Sequence, residues 1–290
     1  INCFFDELKS NDVIFLSYSI YDKYLEKIIE LPNRKICYFH GVTPGELLEE
    51  FEPITAELCK KSLTQFPLLD KFDKLIANSK FIANNLENYV NKKVDVLPPV
   101  FPSRYIFSNL NIEENKNSDL LVVGRVVPHK KIENSISLFI KIKEIIPDAK
   151  LKIIGNMPNH IYSEFLKNEA NKSGLNDSIE FTGVVNDEEL QRLYSKSFGF
   201  INTSLHEGFS IPVLEALYYG LTIFVQDGHA AEELIPKKLK AINSNNLESI
   251  NLDSLLRKNK NEDSNYVLNI LDKNNINTWM KILSIGKNNV

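Results

Sequence analysis

The chain has 290 residues, of which 43% are hydrophobic and 25% are charged, a balance typical of globular proteins that excludes fibrous and disordered classes. Its formal net charge of −4 argues against a nucleic-acid partner, because binding a phosphate backbone requires a basic surface. The three cysteines, Cys3, Cys37 and Cys59, have no C-x-x-C spacing, so they indicate neither a disulfide framework nor a zinc site and favour a cytoplasmic protein. No run reaches the roughly 18 apolar residues that a transmembrane helix requires.

The first hundred residues alternate between short apolar runs and helix-like spans, which predicts a small parallel α/β sheet. Strands are predicted at 12–17, 35–40, 74–78 and 94–97, and helices at 21–30, 56–66 and 80–90. Prolines then interrupt regular structure, so we assign residues 1–103 to a first domain and the polar residues 104–118 to a linker.

From residue 119 the alternation is clearer and predicts a doubly wound α/β sheet in a second domain, residues 119–270. Asn186, followed by three acidic residues, is predicted to cap a helix that ends near Ser197. A closing helix is predicted within residues 271–290. The other predicted elements are strands at 120–123, 151–154, 179–181, 198–201 and 221–225, and helices at 132–146, 161–172 and 211–219.

The passage over residues 202–216 joins two of these strands and predicts a nucleotide site. A backbone break at Gly208 and a helix N-cap at Ser210 leave N–H groups and a helix dipole that favour an anion such as a phosphate. Glu215 lies about 7 to 8 Å further along the helix, a separation that suits a carboxylate accepting hydrogen bonds from the hydroxyls of a ribose. Glu207 would face the group attached to the phosphates. The residues expected to bind the nucleotide at this break are Gly208, Phe209, Ser210 and Ile211.

The ends of the other strands supply further candidates, because ligands of open α/β sheets bind at the carboxyl ends of the strands. Arg125 and Lys130 follow the first strand of the second domain and would neutralise a diphosphate opposite the anion site. Gly124 permits close backbone approach. The nucleotide base is expected to contact backbone groups near Gly155 and Val184.

Two of these segments resemble a known family. Glu207 and Glu215, seven residues apart in an E-G-F-x-x-P-x-x-E-A frame, are similar to the E-x7-E signature of retaining glycosyltransferases of the GT-B fold, family 4 (glycosyl transferases group 1). The segment Gly-Arg-Val-Val-Pro-His-Lys resembles the G-R-x-x-x-x-K-G element of the same family, whose Arg and Lys hold the donor's diphosphate. Lys131 stands where that family usually has glycine. His40 matches a histidine that the family places near the sugar's hydroxyls.

The resemblance implies two Rossmann-like doubly wound domains facing a cleft, with the C-terminal helix packing back on the first domain. Transfer would run from a GDP- or UDP-linked sugar to a hydroxyl of a glycan or lipid-linked acceptor, with retention. Family members usually open with a strand and a Gly-rich loop, which this chain lacks before Ile14, so the first domain is expected to be truncated at its N-terminus. The residues implied to carry catalysis are Glu207, Arg125, Lys130 and His40.

No cofactor or metal is predicted, since the sequence has no G-x-G-x-x-G, no phosphate-loop motif, no H-E-x-x-H and no D-x-D pair. Two alternatives stay open. One is a catalytically silent nucleotide-sugar-binding subunit that needs a partner chain, and the other is an epimerase or hydrolase of the same fold. Peripheral contact with the inner membrane face, through Lys60 and Lys61 on a helix with apolar neighbours, also stays open beside an ordinary solvated surface.

Overall fold

The computed structural model describes residues 2–100, 117–236, 260–273 and 276–283. The chain divides into two compact units, Ile1–Pro99 and Val100–Val290. The predicted linker, residues 104–118, falls almost wholly outside the described residues, so its assignment stays a prediction.

The first unit is a parallel sheet whose strands follow one another in chain order, β1-β2-β3-β4. All four predicted strands are present, and the near-continuous apolar runs of β2 and β3 are buried, as expected of a sheet covered on both faces. The strands are β1 (Val13–Tyr18), β2 (Arg34–Phe39), β3 (Lys74–Ala77) and β4 (Asp95–Val96), and the helices are α1 (Asn2–Glu7), α2 (Leu25–Ile29), α3 (Pro53–Ser62) and α4 (Lys80–Glu87).

The three predicted helices of the first unit are present with different bounds, and the one predicted over 80–90 ends at Glu87. The helix predicted over 21–30 is reduced to α2, because the preceding loop is held by Gln65, whose amide accepts from and donates to the backbone of Asp22 at 2.9 and 2.7 Å. The helix predicted over 56–66 begins earlier, with Pro53 in its first turn, and continues from Leu63 as a 3-10 helix that contains Pro67.

The second unit has a five-stranded parallel sheet of order β7-β6-β5-β8-β9. Its helices begin where the sequence predicts, and the Asn186 side chain accepts a hydrogen bond of 2.8 Å from Glu189 N, which confirms the predicted cap. The strands are β5 (Leu120–Val123), β6 (Leu151–Ile154), β7 (Ile179–Gly183), β8 (Gly199–Asn202) and β9 (Thr222–Val225), and the helices are α5 (Ile132–Ile145), α6 (His160–Lys172), α7 (Asp187–Lys196) and α8 (Ile211–Tyr218).

The strand order of the second unit reverses between β5 and β8. The chain adds β6 and β7 on one side of β5 and then returns to place β8 on the other side. Loops leaving the carboxyl ends of two such strands diverge and open a crevice, which is where ligands of doubly wound sheets bind. The topology therefore selects the ends of β5 and β8 as the place to look for a site.

Two helices, α9 (Lys260–Lys273) and α10 (Ile276–Leu283), close the described part of the chain. Val267 of α9 is fully buried in the second unit's core, and Ser264 Oγ donates to Tyr218 O at 2.7 Å, so α9 is anchored on α8. The predicted return of residues 271–290 onto the first domain stays a prediction. None of the described helices is long and apolar enough to span a bilayer.

Candidate functional site

The loops that follow β5 and β8 meet over a small pocket with about 20 Å³ of internal space, enough for a single water molecule. Four of the predicted site residues line it, which are Gly124, Arg125, Lys130 and Glu207. The two loops are also joined through their backbones, since Leu205 N donates to His129 O at 3.0 Å. The structure thus brings together the two segments on which the predicted diphosphate site depended.

An ion pair between Lys130 and Glu207 occupies the pocket, with Nζ 2.6 Å from Oε1. The two side chains are only 21% and 11% exposed, so water screens the pair weakly. Burial by itself would raise the pKa of Glu207, but the charge of Lys130 and the hydrogen bonds to the carboxylate outweigh burial and hold this pKa below its usual value. Glu207 is therefore an anion at neutral pH.

Asn202, the last residue of β8, positions this carboxylate, although it is not among the site residues predicted from the sequence. Its Nδ2 donates to Glu207 Oε1 at 3.3 Å and to Ser210 Oγ at 2.9 Å, while its Oδ1 accepts from Ser204 N at 3.0 Å. The side chain is 8% exposed. A polar residue ending an otherwise apolar strand, Gly-Phe-Ile-Asn, was the signal that could have identified it.

Thr203 links the loop after β8 to the loop after β5 by hydrogen bonds. Its hydroxyl donates to Lys131 O at 2.7 Å and lies 2.7 Å from the hydroxyl of Ser135 on α5. Thr203 and Ser135 are buried, where a satisfied hydrogen bond contributes about 1 kcal/mol and an unsatisfied polar group costs more. The relative position of the two loops is therefore set by specific polar contacts.

Lys131 and Ser210, the non-glycine residues with positive φ among those described, flank the pocket. Lys131 has φ 48° and ψ 50°, the left-handed conformation that glycine adopts without strain, which explains why the resembling element has glycine there. Its ammonium lies 3.4 Å from Glu133. Strained backbone clusters at functional sites, so both residues add to the case for this pocket.

Ser210 occupies the predicted N-cap position of α8 but does not cap the helix. At φ 70° its hydroxyl makes no hydrogen bond to the first turn and instead accepts from Asn202. Pro212 has no N–H, and Val213 N is already bonded to Ser210 O at 3.2 Å. The helix start therefore offers fewer donors to an anion than the sequence suggested, and Arg125 and Lys130 gain importance.

Glu215 lies apart from the pocket, inside the core of the second unit. It is 5% exposed, and its Oε2 accepts from Tyr194 OH at 2.8 Å. The pKa of Glu215 is raised to about 7. Burial is the main cause, the hydrogen bond from Tyr194 opposes the shift, and the charge of Asp187 adds to it. Glu215 does not line the pocket that contains Glu207, and its predicted contact with a ribose stays a prediction. Tyr194 was not identified from the sequence.

Two glycines bring the ends of β5 and β6 into close contact. A Cβ at Gly155 would lie 1.9 Å from Gly124 O, so no side chain fits there, and both residues have φ near 143° (142° and 143°). Gly155 N donates to Gly183 O at 2.8 Å, which extends the contact to β7. The edge predicted to contact the base is therefore formed by partly exposed glycines at the ends of three neighbouring strands.

The remaining predicted residues differ in accessibility. Arg125 is exposed at the mouth of the pocket, and among the described residues no carboxylate lies within ion-pair distance of it. Val184 and Ile211 are 75% and 39% exposed, whereas Phe209 is buried at 7% and supports the loop from below. Gly208 is partly exposed between them.

Three histidines, His129, His206 and His229, lie close enough to Glu207 for its charge to act on their pKa values. The rings of His129 and His206 lie 6.4 Å apart. Burial, reinforced by the charge of Lys130, lowers the pKa of His129 to about 3, and burial lowers that of His206 to about 4. His229 also has a pKa lowered by burial, and Glu207 opposes that shift. These imidazoles are therefore neutral at neutral pH, and they lie behind the pocket and not in its lining. No group of three His, Cys, Asp or Glu side chains with the geometry of a metal site occurs within the described ranges.

His40 lies in the first unit, directly after β2, where its predicted position at a carboxyl strand end is confirmed. Its Nε2 lies 2.7 Å from Ser17 Oγ, and its ring contacts the Tyr38 ring edge-on at 4.7 Å. Burial lowers the pKa of His40, so the imidazole is neutral at neutral pH. Its proposed role toward a sugar is untested by these contacts.

On the surface of the first unit, the two lysines considered for membrane contact already have partners. Lys60 forms an ion pair with Glu49, and the Lys61 ammonium lies 4.1 Å from the centre of the Tyr21 ring. Leu58 and Leu63 are 40% and 44% exposed beside them. This surface therefore combines exposed apolar side chains with lysines that already have partners.

Comparison with known proteins places these features in a wider group. A family model described as "Glycosyl transferases group 1" matches residues 106–266. The chain is 26% identical over 182 residues to the uncharacterized glycosyltransferase YqgM of Bacillus subtilis, covering 62% of this chain and 49% of that protein. It is 29% identical over 138 residues to the O-antigen chain mannosyltransferase RfbU of Salmonella typhimurium, covering 47% and 37%. The chain thus spans half or less of the length of these relatives.

Among solved structures, sucrose-phosphate synthase from Thermosynechococcus elongatus superposes with a TM-score of 0.69 at 16% identity, covering 93% of this chain and 72% of that one. At this identity the likeness concerns the fold alone. It confirms the predicted fold class, an α/β protein of the GT-B type.

Proposed function

Because this chain belongs to the glycosyl transferases group 1 family, we propose that it transfers a sugar from a nucleotide-diphosphate sugar to an acceptor hydroxyl, with retention of anomeric configuration, as a member of family 4. The observation that carries the proposal is the meeting of Arg125, Lys130 and Glu207 at the reversal of strand order between β5 and β8. Cations at such a crevice suit a diphosphate, which they stabilise as it departs.

The two cations act differently in this proposal. Arg125 is exposed and can bind phosphate oxygens through two N–H groups at once. Lys130 must first exchange Glu207 for a phosphate oxygen, and Glu207 is then released to accept from a sugar hydroxyl. Donor binding and orientation of the sugar are thereby linked through one ion pair.

The transfer step is a front-face substitution. The bond from the anomeric carbon to the diphosphate oxygen breaks as the acceptor oxygen bonds to the same face of that carbon. The acceptor's proton passes to the departing diphosphate oxygen, so no protein nucleophile is needed. Glu207 and His40 orient the sugar, and Glu215 accepts from the ribose hydroxyls after its carboxyl turns away from Tyr194.

The same reasoning suggests the chemical class of the donor and of the acceptor. Backbone groups near Gly155 and Val184 would contact the base, which leaves UDP and GDP as the nucleotides to compare. The acceptor would be a glycan or a lipid-linked sugar, reached on the cytoplasmic side, with a peripheral membrane contact as one route to it. RfbU is named a mannosyltransferase, so mannose is the first sugar to test.

Calorimetric titration with UDP and with GDP tests the site, and turnover of the corresponding nucleotide sugars tests the reaction. Arg125→Ala should abolish tight nucleotide binding, whereas substitution of another exposed arginine, Arg192→Ala on α7, where Arg192 pairs with Glu189, should not. Turnover by Arg125→Ala at nearly the wild-type rate would remove the assignment. Turnover without any acceptor would favour the epimerase or hydrolase reading.

A second candidate function rests on the first unit's sheet edge. Within the described residues β1 pairs with β2 alone, and its outward Val13 and Phe15 are 49% and 44% exposed. An apolar strand edge of this kind favours a covering partner. The chain would then bind nucleotide sugar as a silent subunit of a larger assembly. A monomer in solution that turns over donor and acceptor by itself would exclude this candidate.

A further inference from the structure

Ser17 and His40 end neighbouring strands of the first unit and form a side-chain pair. Ser17 lies near the carboxyl end of β1, opposite Tyr38 in the β1–β2 register, and His40 follows β2 directly. The main chain of His40 is held in place because its N–H donates to Tyr18 O at 2.9 Å. Ser17 Oγ lies 2.7 Å from His40 Nε2, a distance typical of a well-formed hydrogen bond between a hydroxyl and a ring nitrogen.

The ring of His40 packs against an aromatic neighbour, and its main chain is hydrogen-bonded. Tyr38 contacts the ring edge-on, with 4.7 Å between the centres, and Asn78 Nδ2 lies 3.4 Å from His40 O. The imidazole is neutral at neutral pH because burial lowers its pKa. A neutral imidazole has one N–H donor and one acceptor nitrogen, and the partner of one nitrogen decides the state of the other.

We propose that Ser17 is a positioning residue whose hydroxyl donates to His40 Nε2 and holds the imidazole in the tautomer that carries its proton on Nδ1. The assignment follows from the 2.7 Å distance, since a hydroxyl donor makes shorter hydrogen bonds than a ring N–H donor, whose bonds to oxygen usually measure about 2.9 to 3.0 Å. It deepens the proposed function, on which it rests. His40 then acts toward a sugar as a hydrogen-bond donor through Nδ1 and not as a base.

The position of Ser17 places this pair beside open space. Ser17 also lines a cavity of about 470 Å³, together with the loop from Tyr18 to Tyr24 and with Leu58. That loop is held rigid by Gln65, which is 4% exposed and also accepts from Tyr18 OH at 2.9 Å. The Ser17 hydroxyl therefore lies between this cavity and the imidazole.

A donor role for His40 agrees with the proposed front-face chemistry. In that step the departing diphosphate takes the acceptor's proton, so a base in the first unit would be redundant. A donor that binds a sugar oxygen fixes the sugar's orientation and leaves proton transfer to the diphosphate. Ser17 was absent from the sequence-based candidates because a serine near the end of a strand carries no motif.

Nitrogen-15 NMR of the histidine-labelled full chain at pH 7.5 reads the tautomer directly, without substrate. His40→Gln identifies the His40 signals by their loss. Wild type should show Nδ1 protonated and Nε2 as an unprotonated, hydrogen-bonded nitrogen. Ser17→Ala should give a mixture of tautomers, and Ser17→Thr should restore the wild-type pattern. Ser19→Ala, which removes a hydroxyl of the same cavity that does not contact His40, should change nothing.

Either of two results would overturn the proposal, namely a wild-type His40 protonated on Nε2 or a Ser17→Ala variant with unchanged tautomer populations. With donor and acceptor present, loss of this hydrogen bond should lower kcat roughly 3- to 10-fold and leave nucleotide affinity unchanged, with Ser17→Thr close to wild type. If the wild-type chain shows no turnover, the proposed function fails while the NMR measurement still decides the role of Ser17.

Discussion

Lys130 and Glu207 lie 77 residues apart in the chain, yet their side chains meet at 2.6 Å between the loops of two adjacent strands. Each comes from a different half of the second unit's sheet, on either side of the point where the strand order reverses. Their ion pair therefore joins the two halves at the candidate site, and it is the contact that a bound diphosphate would have to exchange.

Breaking this pair should destabilise the second unit. Lys130→Met should lower the free energy of unfolding by about 3 kcal/mol at pH 7, since it leaves a largely buried carboxylate without its counter-charge. The loss should shrink below about pH 4, because a carboxyl with a lowered pKa stabilises the fold above its unfolded pKa and loses this effect as pH falls. Urea unfolding measures both effects. Strict additivity with Glu207→Gln in the double variant would contradict the coupling.

Glu215 should make the protein less stable as pH rises. Its pKa is raised to about 7, so the folded state holds a proton that the unfolded state releases near pH 4.5, and stability falls between these values. Glu215→Gln keeps an acceptor for Tyr194 without the charge, and at pH 8 it should be more stable than wild type by on the order of 3 kcal/mol. Glu169→Gln, on the exposed side of α6, serves as the control. An identical pH profile for wild type and Glu215→Gln would refute the prediction.

The buried histidines should cause a loss of stability in acid. With folded pKa values of about 3 and about 4, His129 and His206 stay neutral while the unfolded chain takes up protons below about pH 6.5. Each should contribute a slope of about 1.4 kcal/mol per pH unit between pH 6 and 5. His206→Gln should remove one such slope from the stability profile, whereas His160→Gln, on the exposed start of α6, should leave it intact.

Lys131→Gly should stabilise the chain. Glycine adopts the left-handed conformation of this position without the strain of roughly 1 kcal/mol that a side chain incurs, and the ion pair with Glu133 at 3.4 Å contributes less than that. Lys131→Ala loses the same ion pair but keeps the Cβ, so it should be no more stable than wild type. Thermal unfolding of the three proteins separates the two effects. Equal gains in both variants would show that the lysine charge is the cause.

Gly155→Ala should disrupt the sheet edge, because the new Cβ would lie 1.9 Å from Gly124 O and the strand ends must separate. We expect a loss above about 3 kcal/mol, more than backbone strain alone produces. Gly183→Ala is the matched control, since it has a positive φ of 71° but open space around the added methyl group, and it should cost only about 1 kcal/mol. Similar losses in the two variants would mean that strain and not the clash dominates.

Much of the fold follows from local patterns. The apolar runs of β1 to β9 and the Asn186 cap depend on neighbours within a few residues, and these predictions hold. Because parallel strands share one edge, the convergence of Lys130 and Glu207 could also be anticipated.

What the sequence did not show depends on contacts between distant residues. Ser210 fails to cap α8 because Asn202, eight residues earlier, takes its hydroxyl. The loop before α2 is irregular because Gln65, more than 40 residues later, binds its backbone. Glu215 is buried because Tyr194 supplies a hydrogen bond inside the core. A local sequence pattern does not indicate such partners.

The contact between Gly124 and Gly155 also divides the candidate site into a fixed part and an adaptable part. At Gly155 the backbone of the neighbouring strand fills the space that a side chain would need, so this position does not tolerate substitution whatever nucleotide is bound. Val184 stands one residue beyond the same row of strand ends with three quarters of its surface open (75%), so its side chain can be exchanged without disturbing the sheet. An engineer wishing to change the preferred nucleotide would therefore begin a library at 184 and leave 124 and 155 untouched.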